Sequence, residues 1–246
     1  MPCRRSADGT LRWGPRYRVL YYGDSLGLES ARFARMLLGE RGAVMVDRAI
    51  SGSSPCDWMK VVPYDLAGGR PDAVIAETVG NALSRCQLSP SGAKPQWNSV
   101  AYWKRYTSDL ARFSSMFPAS TGVWLAPPPA TRNDRSSGYS HKAKMLSVMR
   151  KVASARVNSF AVDAGAAIEV KGSYSRIMPC LAWDPVCLDE PRRGMNIVRA
   201  LDGTHFCPVA IKATIDQLRN CSPNPGAYRF AIGQVTPVLN WLASNR

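Results

Sequence analysis

Short apolar runs alternate with segments of helical periodicity along most of the chain. Segments with apolar residues every three or four positions predict helices over about 26–40, 100–116 and 141–157, and a terminal helix over about 227–243, interrupted or bent at Pro237. Strands alternating with helices are typical of a parallel sheet covered on both faces, which predicts an α/β fold. The apolar runs predict five buried strands, at Arg18–Tyr22, 43–49, 72–80, 122–129 and 158–165.

Small and polar residues stand where the first three predicted strands end. The first strand ends at Gly23–Asp24–Ser25, the second near Ser51–Gly52–Ser53, and the third at Gly80–Asn81. In parallel α/β sheets, ligands bind beyond the carboxyl ends of the strands. These three strand ends are therefore candidate positions for a functional site.

Ser25 is a candidate nucleophile because it stands between a strand and a helix. A serine on such a turn exposes its hydroxyl, and the helix amides favour developing negative charge. It needs a neighbouring base, and the chain has two histidines. His205 has Asp202 three residues before it, a spacing that lets the carboxylate hold the imidazole nitrogen that faces away from the serine. His141 has no such partner nearby, and we interpret it as a surface or capping residue.

A tetrahedral intermediate also needs preorganised N–H donors for its negative oxygen. The backbone amides of Ser25 and Gly52 and the side chain of Asn81 could supply three of them. All three stand at predicted strand ends, so the sequence predicts an oxyanion hole there.

The charge balance is strongly basic. Lys and Arg number 32 against 18 Asp and Glu, a formal net charge of +14 in 246 residues. An anionic partner is one interpretation: nucleic acid, acidic lipid, or a phosphate- or uronate-rich glycan. A solvated basic surface is the other, and we favour it because the charges are scattered and no nucleic-acid-binding module is recognisable. No apolar run is long enough to cross a bilayer, and the first residues do not form a signal peptide.

The three strand-end blocks and the Asp-x-x-His block together resemble the SGNH hydrolases of the GDSL esterase/lipase superfamily. The resemblance rests on GDSLG at 23–27, on Gly52, on Gly80–Asn81 where the family has G-x-N, and on DGTH at 202–205. One departure is that Gly80 adjoins Asn81 with no residue between them. The strings SLGLES, CDW, GNALSRC, VRALDGTHFCP and GAYRF look like a secreted actinobacterial branch.

The resemblance implies a three-layer α/β/α flavodoxin-like fold with a mostly parallel five-stranded sheet. It implies a single domain over residues 17–246, preceded by an extension over 1–16. It also implies ester hydrolysis or acyl transfer without metal or cofactor, with Ser25 as nucleophile, His205 as base and Asp202 as its orienter.

The seven cysteines include no CxxC pair, which argues against a zinc site. Six of them could form disulfides, which implies an oxidising compartment, whereas buried thiols in a cytosolic enzyme are the alternative. The loops after strands two and three emerge at the same sheet edge, and two cysteines close a short loop around Pro185. We predict a free thiol at Cys3 and the disulfides Cys56–Cys86, Cys180–Cys187 and Cys207–Cys221.

These observations favour a serine ester hydrolase that acts on a carbohydrate or cell-envelope O-acyl group, or the related O-acyltransferase. A lipid-directed esterase or thioesterase is the alternative, with an apolar lining from Met178, Leu181 and Trp183. A non-catalytic glycan- or nucleic-acid-binding protein is a third hypothesis. The expected partner is a small-molecule or glycan ester, neutral or anionic, and not a nucleic acid. The expected location is secreted or cell-envelope, with cytoplasmic as the alternative.

Overall fold

The computed structural model describes residues 3–5, 11–13, 16–81, 84–88, 92–135, 140–184, 187, 194–209 and 214–245. The strands are β1 (Cys3–Arg5), β2 (Leu11–Trp13), β3 (Tyr17–Gly23), β4 (Ala43–Ala49), β5 (Ala73–Glu77), β6 (Gly122–Ala126), β7 (Ser159–Ala161), β8 (Glu169–Val170), β9 (Ser173–Tyr174), β10 (Ile177–Pro179) and β11 (Met195–Ile197). The α-helices are α1 (Ser25–Glu40), α2 (Pro55–Trp58), α3 (Val62–Ala67), α4 (Val100–Ser115), α5 (His141–Ser154), α6 (Ile215–Asn220) and α7 (Pro225–Ser244).

Five strands form one parallel sheet in the order β4-β3-β5-β6-β7. This order is that of the flavodoxin-like, doubly wound α/β proteins. Gly23 pairs with Ala49, so β3 and β4 end level with each other at the carboxyl edge of the sheet. The predicted fold class is confirmed.

The interior strand β3 is buried on both faces from Val19 onward, which is why this part of it is a continuous apolar run. Successive side chains of a strand point to opposite faces. Leu20 and Tyr22 pack in the cluster that contains Phe113 of α4. Val19 and Tyr21 pack in the cluster on the other face, with residues of α1 and α7. The two clusters make the molecule a three-layer α/β/α structure.

The predicted ends of three strands were wrong. The fourth strand ends at Ala126, before the three prolines, rather than at 129. The third strand ends at Glu77 rather than at Gly80, because the Val79 amide leaves the sheet ladder and donates to the carboxylate of Asp24. The fifth strand is three residues long, shorter than the predicted run. The terminal helix α7 continues through Pro237 without interruption.

The region after β7 has little regular structure within its described part. Two short antiparallel pairs, β8 with β9 and β10 with β11, interrupt it. Asp184 links this region to α7, because it accepts hydrogen bonds from the buried side chain of Arg229 on α7. It also accepts one from the buried Asn196 of β11. This region carries the chain to residues 202–205.

The three predicted disulfides are present. Cys56–Cys86, Cys180–Cys187 and Cys207–Cys221 have Cα–Cα distances of 5.9, 5.6 and 5.7 Å. The prediction for the Cys3 thiol lies outside the described side chains. Cys56, Asp57 and Cys86 are close enough together to bind a metal ion, but the disulfide uses both thiols. Within the described residues, no helix is long and apolar enough to span a membrane.

Candidate active site

Ser25 is the first residue of α1 and follows β3 after a single residue. The turn is tight, since a Cβ added at Gly23 would lie 2.7 Å from Gly27 Cα. Asp24 caps the helix, and its Oδ1 accepts the Leu26 amide at 3.1 Å. The Ser25 side chain is half-buried at the positive end of the helix dipole.

Asp24 also connects this turn to the end of β5. Its Oδ2 accepts the Val79 amide at 2.6 Å and the Asn81 side-chain Nδ2 at 3.1 Å. Asn81 Nδ2 lies 3.4 Å from the Ser53 carbonyl oxygen, in the loop after β4. The Asp24 carboxylate therefore sets the orientation of Asn81 next to Ser25.

The loop that carries Gly52 packs against the end of β3. The Ile50 amide and the Ser53 hydroxyl both donate to the Gly23 carbonyl, at 2.9 and 3.0 Å. Gly52 has φ +78°, a left-handed conformation that favours glycine. No acceptor among the described residues takes a hydrogen bond from the Gly52 or Ser25 amide. Both amides are available for a ligand.

A second buried carboxyl group, Glu77, lies beneath this turn. Glu77 is fully buried, and its Oε2 would lie 3.0 Å from a Cβ added at Gly27. Burial raises the pKa of Asp24 to about 6, although amide hydrogen bonds to its carboxylate oppose this. Burial and the neighbouring Asp24 charge raise the pKa of Glu77 well above its ordinary value. Both pKa values are raised by burial, and the mutual repulsion of the two carboxylates adds to the shift of Glu77.

Asp202 and His205 form a hydrogen-bonded pair at the predicted spacing. His205 Nδ1 lies 2.6 Å from Asp202 Oδ2, while Asp202 Oδ1 accepts the amides of Thr204 and His205 at 2.8 and 2.9 Å. Burial opposes ionisation of Asp202, but these hydrogen bonds outweigh it and lower its pKa below the ordinary value. The carboxylate accepts from Nδ1–H, which leaves Nε2 of the neutral ring as an acceptor.

The opposite ring nitrogen of His205 faces inward. Nε2 is buried and has no hydrogen-bond partner among the described residues. Burial works to lower the pKa of His205. The Asp202 hydrogen bond and the charges of Glu29, Asp202 and Asp24 outweigh burial, and they raise that pKa above its ordinary value. Within the described part of the chain, no hydrogen bond joins Ser25 to His205. Such catalytic hydrogen bonds often form only when substrate binds.

Glu29 links the segment after His205 to helix α1, a role that the sequence analysis missed. Its carboxylate accepts the Phe206 and Cys207 amides, each at 2.9 Å. Glu29 is four residues after Ser25, so the two side chains lie on the same face of α1. Burial raises the pKa of Glu29 to about 7. The structure thus holds the His205 loop against the first turns of the helix that begins with Ser25.

Arg199 holds the same loop from the other side. Its buried guanidinium donates to the carbonyls of Thr204 at 2.7 Å, Gly203 at 3.3 Å and Ala130 at 3.1 Å. The Cys207–Cys221 disulfide adds a covalent link just beyond His205. This loop has no regular secondary structure, so side-chain hydrogen bonds and a disulfide fix its path.

The interpretation of His141 as a surface or capping residue was wrong. His141 is buried, its ring stacks on Trp97 with centroids 4.6 Å apart, and its Nε2 lies 2.7 Å from the Val79 carbonyl oxygen. The Tyr102 hydroxyl donates to the next carbonyl, that of Gly80. These two contacts hold the turn that leads to Asn81. Gly80 has φ +84°, and an added Cβ would lie 2.5 Å from the Tyr102 hydroxyl.

The apolar lining expected for a lipid-directed enzyme is largely on the surface. Leu181 and Trp183 are 38% and 46% exposed. Met178 alone of the three packs against a buried cluster, the one that contains Leu26 and Phe206. The three residues do not form an enclosed apolar wall.

No family model matches the chain, and no curated protein matches it. Solved structures do match in fold. A lipase/acylhydrolase from Enterococcus faecalis has a TM-score of 0.56 and 14% identity over 92% of this chain and 96% of its own. An alpha/beta hydrolase enzyme from the metagenome of Lake Arreo, Spain, has a TM-score of 0.52 and 16% identity over 94% and 97%. TesA has a TM-score of 0.50 and 14% identity over 92% and 99%. The chain therefore has a fold that is also found in a lipase/acylhydrolase and in an alpha/beta hydrolase enzyme.

Proposed function

We propose that the protein is a serine esterase of the SGNH type that acts through an acyl-serine intermediate. Ser25 is the nucleophile, His205 the general base and Asp202 the residue that orients it. The observation that carries the proposal is the His205–Asp202 pair: Nδ1 binds the carboxylate at 2.6 Å, and Nε2 is buried with no hydrogen-bond partner among the residues that the structure describes. Glu29 brings this pair to the helix that begins with Ser25.

The reaction has two steps. Ser25 Oγ attacks the ester carbonyl while His205 Nε2 takes its proton, and the carbonyl electrons move to the oxygen. The Ser25 and Gly52 amides donate to that oxygen, and so does Asn81 Nδ2, which exchanges its 3.4 Å contact with the Ser53 carbonyl for the oxyanion while keeping its bond to Asp24. His205 then gives its proton to the departing alcohol. Water or an acceptor hydroxyl then attacks the acyl-serine with His205 again as base, the bond to Ser25 Oγ breaks, and His205 returns the proton to Oγ. With water the enzyme is a hydrolase, and with an acceptor hydroxyl it is a transferase.

We further propose a carbohydrate or cell-envelope O-acyl group as substrate and a secreted or cell-envelope location. Exposure of Leu181 and Trp183 argues against a deep pocket for a long acyl chain. The three disulfides support an oxidising compartment, as expected for the secreted actinobacterial branch. No step of the proposed reaction needs a metal or cofactor.

A fluorophosphonate probe tests the nucleophile directly. We expect it to label the wild-type protein at Ser25 and to leave Ser25→Ala unlabelled. Ser115→Ala, which removes an exposed serine at the end of α4, is the matched control and should label normally. Labelling of Ser25→Ala as strong as wild type would refute the assignment.

A series of p-nitrophenyl esters from acetyl to long acyl chains tests the substrate class. A preference for acetyl supports the carbohydrate O-acyl proposal. A preference for medium or long chains would replace it with the lipid-directed or thioesterase alternative, without changing the proposed nucleophile.

A further inference from the structure

A groove of about 830 Å³ runs between helices α4 and α5, outside the site described above. Its wall contains apolar side chains of both helices, among them Val100, Trp103 and Val148, together with amine and hydroxyl groups. The amines and hydroxyls belong to Lys104, Thr107, Ser108, Lys144, Ser147 and Lys151. The groove is thus basic and rich in hydroxyl groups.

The positive charge of this groove is not neutralised by neighbouring carboxylates. Lys104, Lys144 and Lys151 are exposed, and no carboxylate among the described residues lies within ion-pair distance of them. Helix α5 contains no acidic residue, and the one acidic residue of α4, Asp109, is buried and bonded to Gln87 and Arg105. Three of the chain's eight lysines therefore present free charge to one groove.

One end of the groove lies next to the turn that carries Asn81. Both helices begin at the carboxyl edge of the sheet, α4 at Val100 and α5 at His141. The Trp103 ring, which lines the groove, lies 5.4 Å from the His141 ring, and His141 Nε2 contacts the Val79 carbonyl. From there the groove follows the helices to Lys151, away from Ser25.

We propose that this groove binds an anionic saccharide chain, one that carries uronate, sulfate or phosphate groups. The lysines match the anionic groups, and the hydroxyls of Ser108 and Ser147 match the polar surface of a sugar chain. The role of the groove as an extension of the ester site rests on the proposed function, whereas the binding itself does not.

Two other anionic partners fit the groove less well. A membrane surface needs protruding apolar side chains, but Val100 is the one exposed large apolar residue of the groove. Single-stranded nucleic acid needs accessible rings for base stacking, but Trp103 is 8% exposed. An open groove that combines apolar and hydroxyl-bearing side chains with separated lysines favours the saccharide, because sugar rings have apolar faces as well as polar edges.

The experiment is calorimetric titration of the full chain with an oligogalacturonate and with a neutral xylo-oligosaccharide of the same length. We expect the anionic oligosaccharide to bind and the neutral one not to bind. In the variant Lys104→Glu/Lys144→Glu/Lys151→Glu, the Kd for oligogalacturonate should rise about 10-fold or more. The matched control Arg41→Glu/Arg70→Glu/Arg219→Glu reverses three exposed charges outside the groove and should bind like wild type.

Hydrolysis of p-nitrophenyl acetate separates this proposal from the proposed function, because the three lysines do not contact the proposed catalytic residues. We expect both triple variants to hydrolyse it like wild type, which also shows that they are folded. Equal loss of oligogalacturonate binding in the two triple variants would overturn the groove assignment. Lysine-dependent binding of phosphatidylglycerol vesicles or of single-stranded DNA, without oligogalacturonate binding, would overturn the saccharide assignment. Wild type that binds oligogalacturonate but hydrolyses no ester would overturn the proposed function alone.

Discussion

The turn that carries Ser25 and the loop that carries His205 are held in different ways. Ser25 begins a 16-residue helix just after a strand whose last five residues are buried, and the neighbouring Asp24 is completely buried. His205 stands in a segment without helix or strand, and its partner Asp202 keeps 35% of its side chain exposed. Main-chain structure fixes the first region, whereas single side chains fix the second.

Because the two regions are held differently, they differ in which substitutions would displace them. Backbone hydrogen bonds to the neighbouring strands hold β3, and those within the helix hold α1. Loss of one side-chain contact therefore leaves the turn at Ser25 in place. The His205 loop depends on Glu29, Arg199 and the Cys207–Cys221 disulfide. We therefore expect single substitutions to disturb the position of His205 more easily than that of Ser25.

The largest effect is expected from Asp202→Asn. An amide in place of the carboxylate favours the wrong tautomer of His205, so kcat should fall about 10⁴-fold. In wild type, kcat/KM should rise with pH as His205 loses its proton, with an inflection above the ordinary histidine pKa. The inflection should move to lower pH in the variant. Asp216→Asn on α6 is the control, and equal activity of the two variants would contradict the role of Asp202.

Asn81→Ala should lower kcat about 10²–10³-fold, because it removes one donor to the oxyanion. Asn240→Ala, an exposed position on α7, is the control. Steady-state kinetics and urea unfolding are measured together. A loss of stability with unchanged kcat/KM would mean that Asn81 serves only the turn.

Glu29→Gln tests the link between the two regions. A glutamine has one acceptor oxygen for the two amides of Phe206 and Cys207, so the loop should shift and kcat should fall by about 10- to 10²-fold. The acidic inflection of the pH profile should also move down, because the Glu29 charge raises the pKa of His205. Glu40→Gln, at the other end of α1, should change neither quantity. An unchanged inflection with a lower melting temperature would indicate a purely structural role.

The smallest effect on catalysis is expected from Glu77→Gln, because a neutral amide resembles the protonated form that the raised pKa of Glu77 favours. Its effect should appear in stability. A carboxyl whose folded pKa is raised costs stability as pH rises above its unfolded value, by up to about 1.4 kcal/mol per pH unit. Urea unfolding between pH 5 and 8 should therefore show a smaller loss in Glu77→Gln than in wild type. If the free energy of unfolding changed equally with pH in the variant and in wild type, the raised pKa of Glu77 would be contradicted.

Predictions from the sequence were most successful where a feature depends on residues close together in the chain. The run at Arg18–Tyr22 is buried strand from Tyr17 to Gly23, and the Asp202–His205 spacing produces a direct hydrogen bond. The Cys56–Cys86 pair was predicted because the loops after β4 and β5 emerge at the same edge of the sheet, and the Cys180–Cys187 pair because its loop is short. The prediction for His141 failed, because the rings that bury this residue, Trp97 and Trp103, lie about 40 positions away in the sequence.

The sequence by itself determined that helices cover both faces of a parallel sheet. Continuous apolar runs indicate strands that are buried on both faces, and a period of about 3.6 residues indicates helices with one buried face. The sequence also determined the contacts within one turn, such as that of Asp202 with His205. Only the tertiary structure decided that Asp24 meets Asn81, and that Glu29 meets the amides of Phe206 and Cys207. Those contacts join residues 57 to 178 positions apart. They exist because buried polar groups must find partners once the chain has folded, and no local pattern specifies which ones.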